Sequence, residues 1–327
     1  MKSYSPPEVC RVHRATDSPI ASLKVQPEDF MVDEIWQPQF SGEGEHLYLY
    51  VEKIGQNTQW VAKALSRAFG VSEKSVGYSG LKDRQAVTRQ WFSLPSPRSE
   101  SQRESEIEGV KILSRARHST KLRRGSHQAN RFQIRLRDID GAIDDTKDLL
   151  QSRLQAIAEQ GFPNYFGAQR FGHSGNNLKA GFDLSKRRKL IGHPKRGIYL
   201  SAMRSALFNK VLAAQISAGN WSSLQQADYG ESHQEGKIPT GPLWGRGRPL
   251  TAEIGADIEA EVVAGNAELC DLLEHGGLSQ ERRNLVCKAT DLEWGIDGDG
   301  LYLSFSLPPG SYATVLVEEL VALRTTS

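Results

Sequence analysis

The chain has 327 residues, 38% of them hydrophobic and 24% charged, which predicts a soluble globular protein of two domains. Its formal net charge of +2, from 41 basic and 39 acidic residues, identifies no partner. Three widely spaced cysteines without a CxxC pair argue against a disulfide framework or a structural zinc site. Because no segment resembles a signal peptide or a membrane span, we expect a cytoplasmic protein that does not use a membrane.

The first half of the chain alternates between strand and helix patterns. Period-two patterning predicts strands at 30–35, 46–51, 75–79, 87–94, 110–115 and 131–136. An apolar face from Asn57 to Phe69 predicts a helix that Asn57 caps and Gly70 ends. A second helix is expected from Ile143 to about Glu159.

The second half of the chain has a different sequence pattern. A helix is predicted at 200–217, and the region 221–277 is rich in turn-forming residues. The chain closes with a predicted strand at 301–307 and a predicted helix at 312–323. A terminal strand and helix after a differently composed middle segment indicate an insertion into one α/β domain.

Positive charge is concentrated in two segments. Nine Lys or Arg residues and no acid lie between Lys111 and Arg137. A second cluster consists of Lys186, Arg187, Arg188 and Lys189, continued by Lys195 and Arg196. One such cluster alone is usually a solvated loop. Two clusters with aromatic residues nearby favour a nucleic acid as the partner.

The segment GYSGLKDRQAVTRQWF places one carboxylate, Asp83, between Lys82 and Arg84. The spacing of its glycines and the acid after Lys82 do not fit a phosphate-binding loop, which argues against a nucleoside triphosphatase. Two interpretations remain open from these residues alone. The segment is a charged surface turn, or it holds an ionised acid beside an anionic substrate, which a nearby cation would favour.

The segment KLRRGSHQANRF, from Lys121 to Phe132, combines cations with an amide and an aromatic ring. Basic side chains bind phosphates, an asparagine such as Asn130 can read a base edge, and Phe132 can stack on an unpaired base. The alternative is a basic hairpin whose Phe132 enters the core, because Phe132 shares a strand face with Ile134. No metal site is expected, since the eight histidines never fall at ligand spacing.

Five motifs together resemble the TruD family of tRNA pseudouridine synthases. They are, in chain order, GYSGLKDRQAVTRQWFSL, KLRRGSHQANRF, GFPNYFGAQRFG, SAMRSALFN and LPPGSYAT, and with shorter matches near Pro27–Phe30 and Gly42–His46 they extend over about residues 27–323. The resemblance implies an α+β fold. Its pseudouridine synthase catalytic domain, with a mixed, largely antiparallel sheet flanked by helices, would occupy 1–155 together with 286–327, and an inserted α/β TRUD domain would occupy 156–285.

The resemblance also implies a reaction and its residues. The reaction is isomerisation of uridine to pseudouridine at position 13 in the D arm of tRNA, by base flipping, without a cofactor, a metal or an obligatory protein partner. The family's essential aspartate corresponds to Asp83, and its substrate-contacting positions correspond to Phe30, Asn130 and Tyr312. Further candidates are Lys82 and Phe132 as substrate-binding residues and Arg84, Arg123 and Arg124 as contacts to the RNA backbone. Ala129 stands where the family usually has Gly, and Tyr312 where Phe is common, and neither departure removes a needed functional group.

A carboxylate can serve this chemistry in two ways, and the sequence leaves both open. It acts as a nucleophile at C1′ of the sugar, or as a base that removes the C2′ proton to give a glycal. Adjacent side chains of an extended stretch point in opposite directions, so we expect Lys82 or Arg84 to hold the RNA backbone and the cation beside Asp83 to come from elsewhere. Two other classes are disfavoured: an RNA-binding module by the presence of Asp83, and an enzyme of small nucleotides by the long basic stretch at 111–137.

Overall fold

The structure is a computed structural model that describes residues 5–15, 18–96, 107–141, 143–187, 189–222, 239–247, 254–298 and 300–324. Arg188 of the second basic cluster lies outside the described residues. The chain divides into two compact units. The sheet unit consists of Pro19–Gln151, Ala289–Gly310 and Val321–Ser327, and the helical unit consists of Met1–Ser18, Ser152–Lys288 and Ser311–Leu320.

Strands and helices alternate through most of the described residues. In chain order, the strands are β1 (Ile20–Leu23), β2 (Phe30–Ile35), β3 (His46–Ile54), β4 (Gly77–Tyr78), β5 (Val87–Pro95), β6 (Val110–His118), β7 (Ala129–Arg137), β8 (Phe162–Pro163), β9 (Thr240–Leu243), β10 (Glu281–Asn284), β11 (Val286–Cys287), β12 (Thr290–Asp297), β13 (Gly300–Leu307) and β14 (Ala322–Leu323). The helices are α1 (Thr58–Ala68), α2 (Ile143–Gln160), α3 (Asn176–Lys186), α4 (Arg196–Ser217), α5 (Ile254–Ala264), α6 (Ala267–His275) and α7 (Ala313–Leu320).

Among the described residues, ten strands form one sheet in the sheet unit. Its main path runs β12-β13-β7-β2-β5-β3-β6, and β1, β4 and β14 pair beside it. The β2–β5 and β1–β14 pairs are parallel, and the other pairs of this sheet are antiparallel. These observations confirm the predicted α+β fold with a mixed, largely antiparallel sheet.

Most predicted strands are confirmed close to their expected bounds. β2 begins and ends where its alternating pattern places it, because its side chains alternate between buried and half-buried positions. β3 continues past the predicted 46–51 to Ile54. The expected strand at 75–79 is shorter, since Glu73–Ser75 forms a 3-10 turn and only Gly77–Tyr78 pairs as β4. Ser79 instead bonds through its hydroxyl to His127, and such local side-chain bonds compete with strand pairing.

Helix α1 is confirmed together with its predicted cap. The Asn57 side chain accepts a hydrogen bond from the backbone N–H of Trp60 at 2.8 Å, which satisfies one of the unpaired donors of the first turn. The helix packs Val61 and Leu65 into an apolar cluster with Phe92 of β5. This packing fixes the start of α1 against the sheet, beside the loop that follows β4.

Among its described residues, the helical unit contains three helices that the sequence pattern missed, α3, α5 and α6. Helix α4 contains the predicted helix at 200–217 and begins earlier, at Arg196, and it packs against α3, α5 and α6. The expectation of a turn-rich region at 221–277 is wrong for α5 and α6. Helix α6 buries only Leu269, Cys270 and Leu273, a stripe too short to stand out among glycines and acids. Residues 223–238 and 248–253 of that region lie outside the described residues.

The C-terminal helix is shorter than predicted, and the chain passes between the two units at several points. Helix α7 ends at Leu320, and Ala322–Leu323 pairs in parallel with β1, because the chain returns to the sheet there. Two of the points at which the chain passes from one unit to the other, 151/152 and 288/289, lie close to the expected domain limits of 155/156 and 285/286, and those limits stay predictions. The helical unit also contains residues up to 18 and 311–320, which the sequence reasoning placed in the catalytic domain.

Candidate active site

Asp83 lies in the loop between β4 and β5 of the sheet unit. Its carboxylate accepts a hydrogen bond from the Lys24 ammonium at 2.7 Å, and 34% of its side chain is exposed. Lys24 follows β1 with a left-handed backbone (φ 60°), and its ammonium lies 4.1 Å from the centre of the Phe30 ring. The expectation of a cation from elsewhere is therefore confirmed, since Lys24 is 59 residues away in sequence. Arg84 is exposed and donates to the carbonyl of Gly55 at 3.0 Å.

Buried polar groups hold this loop from its inner side. The Lys53 ammonium donates to the carbonyl of Asp83 at 2.6 Å and to the carbonyl of Gln56 at 2.7 Å. The Thr58 hydroxyl, at the start of α1, accepts a hydrogen bond from the backbone N–H of Lys82 at 2.9 Å. Lys53 is fully buried, and this burial is the main reason why its pKa is lowered to about 8. The loop is thus anchored through its main chain on two sides.

The Lys82 side chain points into the sheet unit. Its ammonium donates to the Glu34 carboxylate at 3.0 Å and to Asn130 Oδ1 at 2.8 Å, and only 5% of the side chain is exposed. Glu34 on β2 and Asn130 on β7 stand directly opposite each other in the antiparallel pair. Lys82 therefore bridges two paired strands and holds Asn130 in place.

The bond from Lys82 also sets the direction of a hydrogen-bonded chain. An ammonium only donates, so the Asn130 oxygen faces Lys82 and its nitrogen faces His127 Nε2, 3.2 Å away. His127 then accepts at Nε2 and carries its proton on Nδ1, which lies 2.6 Å from Ser79 Oγ. Burial, and next the charge of Lys82, lower the pKa of His127 and favour the neutral ring. Asn130 keeps one oxygen lone pair and one N–H for a ligand.

Three phenylalanine rings form a continuous row across β2, β7 and β13. Phe30 contacts Phe132 edge-to-face at 6.0 Å, and Phe132 stacks on Phe305 at 5.6 Å between ring centres. Phe30 is 2% exposed and Phe132 is 8% exposed. The ring of Phe132 therefore enters the core in this structure, as the alternative interpretation of its segment describes, and Lys24 covers the ring of Phe30.

Exposed cations surround a cavity beside β4. The cavity has a volume of about 640 Å³, and its wall includes Lys74, Tyr78, Lys121, Arg123 and Arg124. The Arg124 guanidinium lies 5.4 Å from the centre of the Tyr78 ring and donates to its hydroxyl at 3.3 Å. Cations grouped around an aromatic ring suit a polyanion that carries flat bases.

Part of the basic stretch is used inside the sheet unit. Arg135 is ion-paired with Asp297 at 2.8 Å, and Arg137 is ion-paired with Asp29 at 2.8 Å. The nine basic residues at 111–137 therefore do not form one continuous positive surface. The exposed cations of the cavity wall are among those placed to meet a polyanion.

Tyr312 stands in the helical unit, just before α7. Its hydroxyl accepts a hydrogen bond from Arg170 Nε at 2.9 Å, and its ring contacts Phe166 edge-to-face at 6.1 Å. Gly167 permits this packing, because a Cβ there would lie 3.0 Å from the Tyr312 ring. The Arg283 guanidinium lies 4.2 Å from the centre of the Phe166 ring, and burial lowers the Arg283 pKa to about 10. Residues of the GFPNYFGAQRFG motif therefore pack against the Tyr312 side chain.

Neither a metal cluster nor a membrane-crossing helix occurs among the described residues. No group of three or more His, Cys, Asp or Glu side chains in that part of the chain is arranged to hold a metal ion. Of the helices within the described ranges, none has both the length and the apolar character needed to cross a membrane.

Comparisons with known proteins show the family to which this chain belongs. The family model of tRNA pseudouridine synthase D (TruD) matches residues 14–188 and 230–320. The chain belongs to the TruD family. One relative named tRNA pseudouridine synthase D, from Pseudomonas fluorescens, is 43% identical over 326 residues, covering 93% of this chain and 92% of its own. Another of the same name, from Cellvibrio japonicus, is 43% identical over 312 residues, covering 93% and 90%.

A solved structure extends the TruD comparison to the fold. A crystal structure of a protein from Methanosarcina mazei that carries the TruD name matches with a TM-score of 0.68 at 21% identity. The match covers 97% of this chain and 96% of that chain. The architecture of the two units is therefore that of TruD proteins.

Several residues of the candidate site could not be found from the sequence. Lys24 lies in a segment with no strand or helix period, so nothing in the sequence links it to the Asp83 loop. His127 stands inside the KLRRGSHQANRF motif, but no local pattern shows that it bonds Ser79 and Asn130. Lys53 did carry a signal, because the alternation that buries Leu49 and Val51 places it on the same inward face of β3. A lysine on a buried strand face is rare unless it is paired, and this marks it for attention.

Proposed function

We propose that this TruD protein isomerises uridine to pseudouridine in tRNA, at uridine 13 of the D arm, with Asp83 as the essential carboxylate and without a cofactor. The observation that supports the role of Asp83 most strongly is its pairing with Lys24. The carboxylate is one-third exposed and lies 2.7 Å from an ammonium, in a loop anchored by buried bonds. A cation beside the acid offsets the repulsion between a carboxylate and the phosphates of RNA.

Asp83 suits either chemical route. The reaction breaks the bond between C1′ and N1, turns the uracil, joins C1′ to its carbon five, releases the proton of that carbon and leaves a proton on N1. Asp83 acts as a nucleophile that bonds C1′ and is displaced by carbon five, or as the base that removes the C2′ proton and returns it when carbon five joins C1′. In both routes Lys24 orients the carboxylate, and the anchored loop limits its movement.

Recognition of the uracil is proposed to use Asn130, Tyr312 and Phe30. Turning a uridine out of the stack costs a few kcal/mol, and stacking on an aromatic ring returns about 1–3 kcal/mol. Asn130 has one acceptor and one donor left for the uracil edge. Phe30 is covered by Lys24, so a contact between its ring and the uracil requires Lys24 to move.

The remaining residues predicted to contact the RNA fall into two groups, those that are exposed and those that are largely buried. Arg84, Arg123 and Arg124 are exposed and are proposed to hold the RNA backbone. Lys82 and Phe132 are proposed to act on the substrate through their neighbours, Lys82 by holding Asn130 and Phe132 by supporting Phe30. Action in the cytoplasm, with tRNA as the partner and without an obligatory protein partner, completes the proposal.

Mapping of pseudouridine in bulk tRNA tests the proposal directly. Cells that lack the protein are expected to lose pseudouridine at position 13, and the wild-type protein is expected to restore it, while Asp83→Asn is not. Retention of the modification in cells without the protein would contradict the proposed activity at this site. Loss at a different position would retain the activity and overturn position 13.

A further inference from the structure

A lysine without exposed surface lies against the loop that carries Asp83. Lys53 is 0% exposed, and its ammonium donates to the carbonyls of Asp83 and Gln56 at 2.6 and 2.7 Å. Burial of an ammonium is costly unless hydrogen bonds compensate it. Both of these compensating partners are main-chain carbonyls, so Lys53 acts on the backbone and not on a side chain.

Lys53 links three parts of the sheet unit. It belongs to β3, it bonds the turn at Gln56 that leads into α1, and it bonds the loop at Asp83. Arg84 adds a second bond between the same two segments, from its Nε to the carbonyl of Gly55 at 3.0 Å. The backbone on which the Asp83 carboxylate is mounted is therefore tied to the turn at 55–56.

We infer that Lys53 is a positioning residue of the reaction: its ammonium holds the backbone of Asp83 so that the carboxylate is aimed at the sugar, and loss of its proton loosens that backbone. The inference rests on the proposed role of Asp83. It differs from the role of Lys24, which contacts the carboxylate itself. A small displacement of a reacting group is costly, because catalysis depends on near-attack geometry.

The charges around Lys53 are few. The lowering of its pKa to about 8 has burial as its largest cause, while the charge of Asp83 raises the pKa and the charge of Lys82 lowers it. At the positions opposite Lys53, β5 contributes the uncharged Thr88 and β6 the uncharged Val110. Desolvation therefore sets the pH at which this anchor loses its proton.

Loss of the Lys53 proton weakens the hydrogen bonds to the loop but increases the contribution of Lys53 to the free energy of unfolding. Charge-assisted hydrogen bonds are about twice as strong as neutral ones, so the anchor weakens as the pH rises through about 8. The unfolded lysine keeps its proton up to about 10.5, so the unfolded state binds more protons between about pH 8 and 10.5. The contribution of Lys53 to the free energy of unfolding therefore rises with pH over that window, while the anchor weakens.

Hydrogen exchange of the loop tests the anchor without relying on catalysis. The reporter is the Lys82 amide, which donates to the Thr58 hydroxyl. In the wild type, its exchange relative to the intrinsic rate is expected to rise about tenfold between about pH 7 and 9, because the charge-assisted bonds are lost. Lys53→Met is expected to exchange fast at both pH values. The control Lys147→Met, at an exposed lysine of α2, is expected to match the wild type.

Two exchange results would overturn the inference. One is protection in the wild type that does not change with pH, and this result is decisive even where Lys53→Met does not fold. The other is protection in a folded Lys53→Met protein equal to that of the wild type. Both outcomes are independent of whether uridine is the substrate, so they are separate from a failure of the proposed function.

Single-turnover tritium release from tRNA with 5-tritiated uridine gives the catalytic readout. Lys53→Met is expected to lower the rate constant about tenfold or more at neutral pH, with Kd for tRNA within about twofold of wild type, since only the aim of the carboxylate changes. The difference from the wild type is expected to shrink above about pH 8, where the wild type loses its own charge. A ratio that stays constant with pH, or an unchanged rate, would reduce Lys53 to a structural residue.

Discussion

Two sets of cations in the sheet unit have opposite surroundings. The first set bonds to groups of the site and is mostly withdrawn from solvent: Lys24, Lys53 and Lys82. The second set is exposed around the cavity beside β4: Lys121, Arg123 and Arg124. Salt screens exposed charges strongly and buried pairs weakly. The first set is therefore suited to fix geometry, and the second to attract a polyanion.

This difference predicts two separable kinds of defect. Loss of a cation from the first set should lower the rate of the chemical step and leave the salt dependence of RNA binding unchanged. Loss of a cation from the second set should weaken RNA binding, reduce its salt dependence and leave the rate at saturating RNA unchanged.

Lys24→Met should have the largest effect on the rate among the cation variants. It removes the ammonium at 2.7 Å from Asp83 and keeps most of the length of the side chain. A charge-assisted hydrogen bond contributes about 1.5–3 kcal/mol, so the rate at saturating tRNA should fall about 10- to 100-fold. Single-turnover tritium release measures this rate. A normal rate with a raised Kd would place Lys24 in the RNA-binding set.

Tyr312 allows a similar test in the helical unit. Its hydroxyl accepts a hydrogen bond from Arg170, and its ring is the proposed stacking group. Tyr312→Ala removes the proposed stacking ring, worth about 1–3 kcal/mol, and should lower activity about 5- to 150-fold. Tyr312→Phe keeps the ring and loses only the bond from Arg170, so the loss should stay below about tenfold. The ratio of single-turnover rates decides between the two groups. Equal impairment of both variants would make the hydroxyl the important group and contradict the stacking role.

Arg123→Ala with Arg124→Ala should have the smallest effect on the rate and a clear effect on binding. Each lost phosphate contact should reduce the slope of log Kd against log salt by about 0.7–0.9. Filter binding over a salt series measures the slope, with Lys147→Ala as a control that removes one exposed charge elsewhere in the sheet unit. An unchanged slope in the double variant would exclude these arginines from the RNA contact.

Local features of the fold could be predicted from the sequence. The alternation in β2 and the Asn57 cap of α1 each arise from neighbouring residues, so a short window contains the whole signal. The two-residue strand β14 has no detectable period, and its pairing with β1 depends on where the chain returns to the sheet. The apolar stripe of α6 is too short to be distinguished from a turn-rich segment.

Local sequence patterns also fail to predict the pairs of the candidate site, because the paired residues are far apart in the sequence. Asp83 and Asn130 could be selected because they stand in motifs that resemble one family. The pairing of Asp83 with Lys24, and of Lys82 with Glu34, joins residues 59 and 48 positions apart. Such pairs depend on strand order and register, which no local pattern contains. Lys53 lies between these cases, since its strand face was readable and its partners were not.

The central claim is that Asp83 performs the chemistry and is not needed to hold the RNA. Asp83→Asn keeps the shape of the side chain but replaces the carboxylate with an amide, a far weaker nucleophile and base. The direct measurement compares tRNA affinity and tritium release from 5-tritiated uridine on the same purified variant, with the exposed Asp148→Asn of α2 as the matched control. We predict near-normal or slightly tighter tRNA binding, because a charge that repels phosphates is removed, and essentially no tritium release. Near-normal tritium release from a folded Asp83→Asn protein would contradict the account.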